Sequence, residues 1–566
     1  MPETDAPDAR VRQAPLRAEG SILAVGLCLA GLLLLGIPYL PFQDVPNHAL
    51  LLTYDRELAA AGNAWLQRPS DLAFGYTLYI WIARVLAPVL SIDSVLRLLA
   101  ILAVTALPLA TARLAAVLGA PAALAGILSL PFALGWPLRM GLISFVLGVP
   151  LALLCTAAAV GVCRADRAVA VGSGAAIRAC VGLAIGGAVT YMAHPFAFAL
   201  AIVLAAFAWG FEGGRSGRAA ARLAGAFLPA LALLAWDTWH GAWRPTISAS
   251  IETTPEEMVR LRPVGQALSH IACRTYGIPN AETLLAYLPH LVLLLAGIAL
   301  FVRANLAGPS ESAGAAATLP RSGGRMLLAA ATVLTLGTVL VPDSIGRAYL
   351  LGSRPALAGM CLAAIVAACG LRRALARPLS LVAMASGLAC AISAASIARD
   401  AKAVALVVGD HPPRSAHGNL LVVRAGDCTR HTGYNWGAWD PLRQAWAYAL
   451  SPDSSTPYLF AEHRYDMVWF RPGANPPHPP PGRVLSDERD LDSGECAERN
   501  RERLAATAAL PGYDGVVVVG HPDAGRRALR ESGARGPVRL APGLWVLSAP
   551  APPAPGPAGA PRSGGP

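Results

Sequence analysis

Long apolar runs separated by short polar stretches fill the first 397 residues of this 566-residue chain. A helix crosses a bilayer with roughly 20 mainly apolar residues. By that measure the candidates are 21–40, 73–90, 95–118, 121–136, 141–163, 176–192, 195–211, 220–236, 283–302, 325–341, 355–371 and 378–397. The run 73–90 is short, rich in Tyr and Trp, and carries Arg84. It suits the membrane interface better than the bilayer centre, which leaves about eleven spans. The first run ends in Ile37-Pro38-Tyr39-Leu40 without a small-residue cleavage site, so it reads as a span and not as a cleaved signal.

From about residue 398 the pattern changes to short β-branched runs between turn-rich polar stretches. The segments 419–424, 465–470, 513–520 and 538–548 read as strands, and 440–450 and 498–510 read as helices. Strands alternating with helical patterns predict a small α/β domain. After Ser548 a Pro/Ala/Gly tail is expected to be disordered. The predicted fold class is therefore an α-helical polytopic membrane protein with a small C-terminal α/β domain. Its parts are a tail over 1–20, a transmembrane domain over 21–397, the α/β domain over 398–548 and a second tail over 549–566.

Composition agrees with the pattern. Hydrophobic residues make up 55%, charged residues only 14%, and the mean hydropathy is +0.48. Soluble domains carry about 25% charged residues, so a cytosolic enzyme, a nucleic-acid binder and a disordered scaffold are all disfavoured. The net charge of +11 comes almost wholly from arginine, with Lys402 the sole lysine. No basic cluster interleaved with aromatics marks a nucleic-acid surface. The arginines serve better as topology markers, because cytoplasmic loops collect positive charge. Arg164, Arg167 and Arg178 mark one such loop, and Arg215, Arg218 and Arg222 another. Arg303, Arg321 and Arg325 mark a third, and Arg372, Arg373 and Arg377 a fourth. With Arg10, Arg12 and Arg17 in the N-terminal tail, they predict a multi-pass plasma-membrane protein, N-terminus cytoplasmic and 398–548 outside. That orientation requires an odd number of crossings.

The polar chemistry then gathers on the outer side, in 41–72, Gly135–Gly141, 237–282, Pro342–Arg354 and at His194. In Pro41-Phe-Gln-Asp-Val-Pro-Asn-His48, Pro46 suits the first turn of a helix, so Asp44 and His48 share a face and Asp55 falls near the same stripe. Asp44 either caps that helix or acts as a general base towards an acceptor hydroxyl. Arg347 and Arg354 either snorkel to the interface or fork around a lipid phosphate. Arg139 stands in the tight break between Pro131 and Pro150, whose glycines suit close helix packing. His48, His194 and Asp44 are a minor candidate for a divalent metal, with no local spacing to support it; no other cofactor is called for. The ten cysteines show no metal-ligand spacing. Cys428 and Cys496 lie in the outer domain, where they could form a disulfide.

A first span, an acidic first loop in Gln43-Asp44-Val45-Pro46-Asn47-His48, many further spans and a C-terminal outer domain together resemble the GT-C superfamily of integral-membrane glycosyltransferases. The stretch Leu134–Leu153, the Ala193-His194-Pro195 break and the Pro342–Arg354 loop resemble those of bacterial members. The better-studied members often carry two adjacent acidic residues, whereas Asp44 stands between Gln43 and Val45. The resemblance implies transfer of a hexose or pentose from a polyprenyl-phosphate-linked sugar to an extracytoplasmic glycan, lipid or protein acceptor. Asp44 would be the base with His48 assisting. Arg347 or Arg354 would hold the donor phosphate, and His194, Arg139 and Asp55 would line the substrate site. Two other functions fit the same layout, a transporter or flippase of lipid-linked glycans and a non-catalytic envelope assembly protein. The first would show paired broken helices and internal repeats, which this sequence lacks.

Overall fold

A computed structural model of the chain describes residues 9–58, 66–67, 73–167, 173–240, 259–260, 271, 275–277, 281–306, 321–340, 344–345, 348–349, 354–375, 378–409, 416–425, 442, 445–456, 469–470, 498, 504, 513–531 and 536–548. Helices dominate to residue 408. In chain order they are α1 (Ala9–Gly36), α2 (Val45–Leu58), α3 (Leu78–Leu86), α4 (Ile92–Leu118), α5 (Ala122–Ala133), α6 (Trp136–Arg139), α7 (Ile143–Arg167), α8 (Ser173–Ala193) and α9 (Pro195–Phe211). There follow α10 (Gly217–Trp239), α11 (Ala281–Leu306), α12 (Arg321–Leu340), α13 (Arg354–Ala374) and α14 (Pro378–Val408).

Among the described residues, ten helical segments are long and apolar enough to cross a membrane, α5 and α6 together forming one of them. The 17-residue α9 is a shorter apolar helix, so the described spans number ten against the eleven or so expected, with α9 falling just below the length needed. At about 1.5 Å per residue, the nine-residue α3 is too short to join them. Its segment, 73–90, is the one the sequence placed at the interface. The bundle has a centre and a rim. In α13, 94% of the most apolar window is buried inside the protein, against 22% in α1. The rim keeps an apolar skin, as at Leu29, Leu32 and Leu35 of α1, which suits a lipid surround. Helix ends follow local rules: Ser91 caps α4 by accepting from the Ser94 amide at 3.1 Å, and Gly119 closes it at φ +83°. The last carbonyls of α1 are covered by Arg97 of α4, which donates to Leu34 and Ile37 at 2.9 and 2.7 Å.

Beyond α14 lies a five-stranded sheet, β6-β5-β8-β10-β9. Its strands are β5 (Ala416–Ala425), β6 (Leu450–Ser455), β8 (Gly515–Gly520), β9 (Val538–Ala541) and β10 (Leu544–Ser548). β5 runs parallel to β6 and β8, while β10 is antiparallel to β8 and β9. Alternation along the strands sorts the side chains into two faces. Leu420, Val422, Val517, Val519 and Leu544 join the core that is continuous with the helices, while Leu421, Val423, Val516, Val518 and Trp545 pack with Ala528 and Leu529 of α15 (Pro522–Glu531). The sheet is fastened to the bundle by polar contacts as well. Gly543 donates to Val407 at 2.7 Å, Tyr39 donates to Gly409 at 2.5 Å, and Tyr54 of α2 donates to Ser454 at 3.0 Å. Two further small sheets join distant segments. β1 (Leu66–Gln67) pairs with β7 (Trp469–Phe470), and β2 (Val259–Arg260) pairs with β3 (Ser344–Ile345), which pairs with β4 (Ala348–Tyr349).

Several elements differ from expectation. Of the expected helix 440–450, the described residues form only a single 3-10 turn, Ala445–Tyr448, which buries Trp446 and leads directly into β6. Parallel pairing with β5 sets that backbone, over a helical spacing of apolar residues. The segment 538–548 forms a hairpin about Pro542 and Gly543, not one strand. α15 was not anticipated, and α14 continues past residue 397 to Val408. The pair Cys428 and Cys496, Arg347, most of 498–510 and the tail 549–566 lie outside the described residues.

Candidate functional site

The end of the bundle that carries the sheet collects the polar side chains singled out in the sequence. Asp44 stands immediately before α2, where its carbonyl accepts from the His48 amide at 3.1 Å. The tight break between α5 and α7 grips this entry. Gln43 and Asp44 donate their amides to the carbonyls of Arg139 and Met140 at 2.9 and 3.1 Å. Gly141 sits at φ +79°, and a Cβ there would lie 2.8 Å from the Asp44 nitrogen. Only glycine permits both that conformation and that approach. The Asp44 carboxylate is half-buried and accepts from Gln43 Nε2 at 3.4 Å. One turn on, His48 Nδ1 lies 3.2 Å from the Tyr79 hydroxyl, with the two rings edge to face. Burial pushes the His48 pKa down to about 4, opposed by a hydrogen bond to the Gly141 backbone. The imidazole is therefore neutral near pH 7.

A second group lies across the start of α7. His194, at the break between α8 and α9, caps α9: its Nδ1 accepts from the Phe196 amide at 3.1 Å. Pro195 follows in the first turn, where its missing amide costs nothing. Arg354, the first residue of α13, places Nη1 2.8 Å from His194 Nε2 and lays its guanidinium over Phe145 and Phe196 at 5.6 and 5.9 Å. The imidazole is clamped edge to face between Tyr76 at 4.5 Å and Phe145 at 5.3 Å. Gly148 lets α7 approach here, since a Cβ would fall 3.2 Å from the His194 Cβ. Burial, and then the Arg354 charge, hold His194 well below the ordinary histidine range.

One loop joins the two groups. Residues 74–79 run from Phe74 into α3, with Tyr76 facing His194 and Tyr79 facing His48. Tyr76 adopts φ +63°, a left-handed conformation that costs a bulky residue about 1–2 kcal/mol. The loop is held by Asp237, which is wholly buried at the end of α10. Its carboxylate accepts from the Phe74 amide at 2.9 Å, the Gly75 amide at 2.8 Å and the Tyr191 hydroxyl at 2.7 Å.

Two of the anticipated site residues are committed elsewhere. Asp55 receives both Nε and Nη2 of Arg84 at 2.9 Å, which ties α2 to α3. Arg139 is 1% exposed and donates to Ser396 Oγ at 2.7 Å and the Ser393 carbonyl at 3.1 Å, with Asp400 at 3.6 Å. It anchors the break that grips Asp44 to α14. Among the described residues no group of three or more His, Cys, Asp or Glu side chains is placed to hold a metal ion. Tyr76, Tyr79, Tyr191 and Asp237 were not singled out in the sequence. A signal existed for the last: Asp237 closes the apolar run Leu-Ala-Leu-Leu-Ala-Trp, and an ionisable residue at the edge of a span is a site candidate.

No family model and no curated protein matches the chain. Solved structures give remote likenesses. One is the arabinofuranosyltransferase AftD from Mycobacteria, at 16% identity and TM-score 0.46 over 94% of this chain and 40% of that one. A second structure of that protein, the mutant R1389S, is similar at 15% identity, again with TM-score 0.46, over 94% of this chain and 41% of that one. The third is ArnT from Cupriavidus metallidurans bound to undecaprenyl phosphate, at 12% identity and TM-score 0.48 over 96% of this chain and 99% of that one. The chain thus spans about two fifths of the length of the AftD structures.

Proposed function

We propose that this protein is a membrane glycosyltransferase that moves a sugar from a polyprenyl-phosphate donor to an acceptor hydroxyl at the sheet-bearing end. In this reading that end is extracytoplasmic and the N-terminus cytoplasmic. The observation that carries it is the pairing of His194 with Arg354. Arg354 Nη1 lies 2.8 Å from His194 Nε2, a contact that fixes where the guanidinium stands. A guanidinium forks several N–H groups, which suits an anionic oxygen such as that of a phosphate. Arg354, with Arg347 of the same loop, neutralises the leaving phosphate, and His194 holds the guanidinium in position.

Asp44 supplies the other half of the chemistry. Its carboxylate takes the proton of the acceptor hydroxyl as that oxygen bonds to the anomeric carbon. The bond from that carbon to the phosphate oxygen breaks on the opposite side, and its electron pair leaves with the polyprenyl phosphate. Attack from opposite the leaving group inverts the anomeric centre. His48, neutral and bonded to Tyr79, stands one helical turn from the base and assists in orienting the acceptor. The divalent metal weighed above has no part in these steps.

The test is transfer by the full-length purified chain, given polyprenyl-phosphate sugars and mixed envelope acceptors. Asp44→Asn should slow transfer by about 10²–10⁴-fold, the usual weight of a general base. Arg354→Ala should weaken donor binding as well as turnover. An Asn variant as fast as the wild type removes Asp44 from the mechanism. A wild-type protein that transfers from no donor overturns the enzymatic reading in favour of an assembly role.

A further inference from the structure

We infer that Asp237 is a positioning residue for this site, acting through the turn at Tyr76 on the ring of His194. The inference rests on the reading of His194 and Arg354 as an anion-binding pair, and extends it to a residue that touches neither in the described contacts. Two successive backbone amides, Phe74 and Gly75, converge on one carboxylate at 2.9 and 2.8 Å, and the Tyr191 hydroxyl completes the set at 2.7 Å. Consecutive amides aimed at one anion form a nest. Here the anion is the protein's own, and the nest fixes the backbone just before Tyr76.

That matters because of what Tyr76 does next. Its backbone is left-handed at φ +63°, a conformation a tyrosine keeps only when its surroundings enforce it. The ring consequently lies 4.5 Å from the His194 ring, at 75° to it. With Phe145 on the other side at 5.3 Å, the imidazole has one orientation, which sends Nδ1 to the Phe196 amide and Nε2 towards Arg354. Thr77 reinforces the turn by donating to the Phe74 carbonyl at 2.6 Å. A change at Asp237 reaches the anion pair through four linked contacts: carboxylate to amide, amide to turn, turn to ring, ring to imidazole.

The experiment reads the imidazole directly. Full-length protein in lipid nanodiscs, labelled with 15N-histidine, is compared as wild type, Asp237→Asn, Tyr76→Ala, Tyr191→Phe and the Asp237→Asn/Tyr76→Ala double variant. His194→Gln identifies the signal. The wild type should show one neutral tautomer. Asp237→Asn and Tyr76→Ala should each shift it towards averaged tautomers, and the double variant should go no further than either single one. Undecaprenyl phosphate affinity should fall about three- to tenfold in both single variants, the scale of a coupling through intermediate residues. Amide exchange at Phe74 and Gly75 should accelerate in Asp237→Asn.

An unchanged His194 signal, with faster exchange at those amides, would overturn the proposal and leave Asp237 a purely structural anchor. Additive shifts in the double variant would overturn it too. If Asp237→Asn does not fold, Tyr191→Phe removes one donor from the same carboxylate and should move the His194 signal in the same direction; no movement refutes the link. A wild type that fails to bind undecaprenyl phosphate, with the His194 response intact, defeats the donor assignment and not the positioning role.

Discussion

The two ends of the helical bundle answer buried charge in different ways. Away from the sheet, carboxylates meet arginines. Glu212 pairs with Arg164 at 2.9 Å and also accepts from Ser322 at 2.7 Å; Asp166 pairs with Arg222 at 2.9 Å and accepts from Ser216 at 2.7 Å; Glu19 pairs with Arg372. The sheet-bearing end has such pairs too, Arg84 with Asp55 and Arg139 with Asp400, but it adds a second kind of partner. Arg354 lies against two phenylalanine rings and an imidazole, and the buried Asp237 is met by two amides and a phenol. A cation set on rings beside a strained turn is placed differently from one matched with an acid. On the proposed reading, that difference separates a scaffold end from a working end within one continuous core.

The sharpest way to break this contrast is at Gly141. Alanine there combines a left-handed backbone with a Cβ 2.8 Å from the Asp44 nitrogen. Gly141→Ala should cost about 2–4 kcal/mol in thermal unfolding and should displace Asp44, so transfer falls further than stability does. At the other end, Glu212→Ala leaves Arg164 without its acid. The expected loss is about 1–2 kcal/mol, reduced because Arg164 is partly exposed, while, on the proposed reading, affinity for a polyprenyl phosphate stays at the wild-type value. A Glu212 variant that loses affinity would erase the distinction between the two ends.

The smallest effect concerns pH. The folded state keeps His48 neutral, with its pKa lowered to about 4 from 6.5. Between those values the unfolded chain binds the extra proton, so His48 adds stability above pH 6.5 that is lost as pH falls towards 4. Thermal midpoints should drop over that window, and His48→Gln should flatten the drop. An unchanged slope in the variant would show that other groups set it.

Long apolar runs made the spans legible, because a bilayer imposes a length that the sequence must display. The gathering of Asp44, His48, His194 and Arg354 at one end was legible for a related reason: polar residues beside such runs stand out. Arg139 and Asp55 stood out equally, yet they pair with Asp400 and Arg84, and a buried ion pair has no spacing of its own in the chain. Asp237 was hidden because it acts on backbone amides 163 residues away, at Phe74, whose own side chain plays no part. β6 was hidden because Leu-Ser-Pro-Asp-Ser-Ser is a poor strand by composition and owes its form to pairing with β5.

The bond from Tyr54 to Ser454 spans 400 positions of the chain. α2 follows Asp44 and carries Tyr54 in its third turn, so the helix that presents the first-loop carboxylate is fastened to a strand made 400 residues later. During translation α2 emerges early and has to wait for β6 before its buried hydroxyl finds these partners. The working end is thus assembled last, after the scaffold end has already closed, and a chain cut short before residue 450 would insert its helices without completing this site.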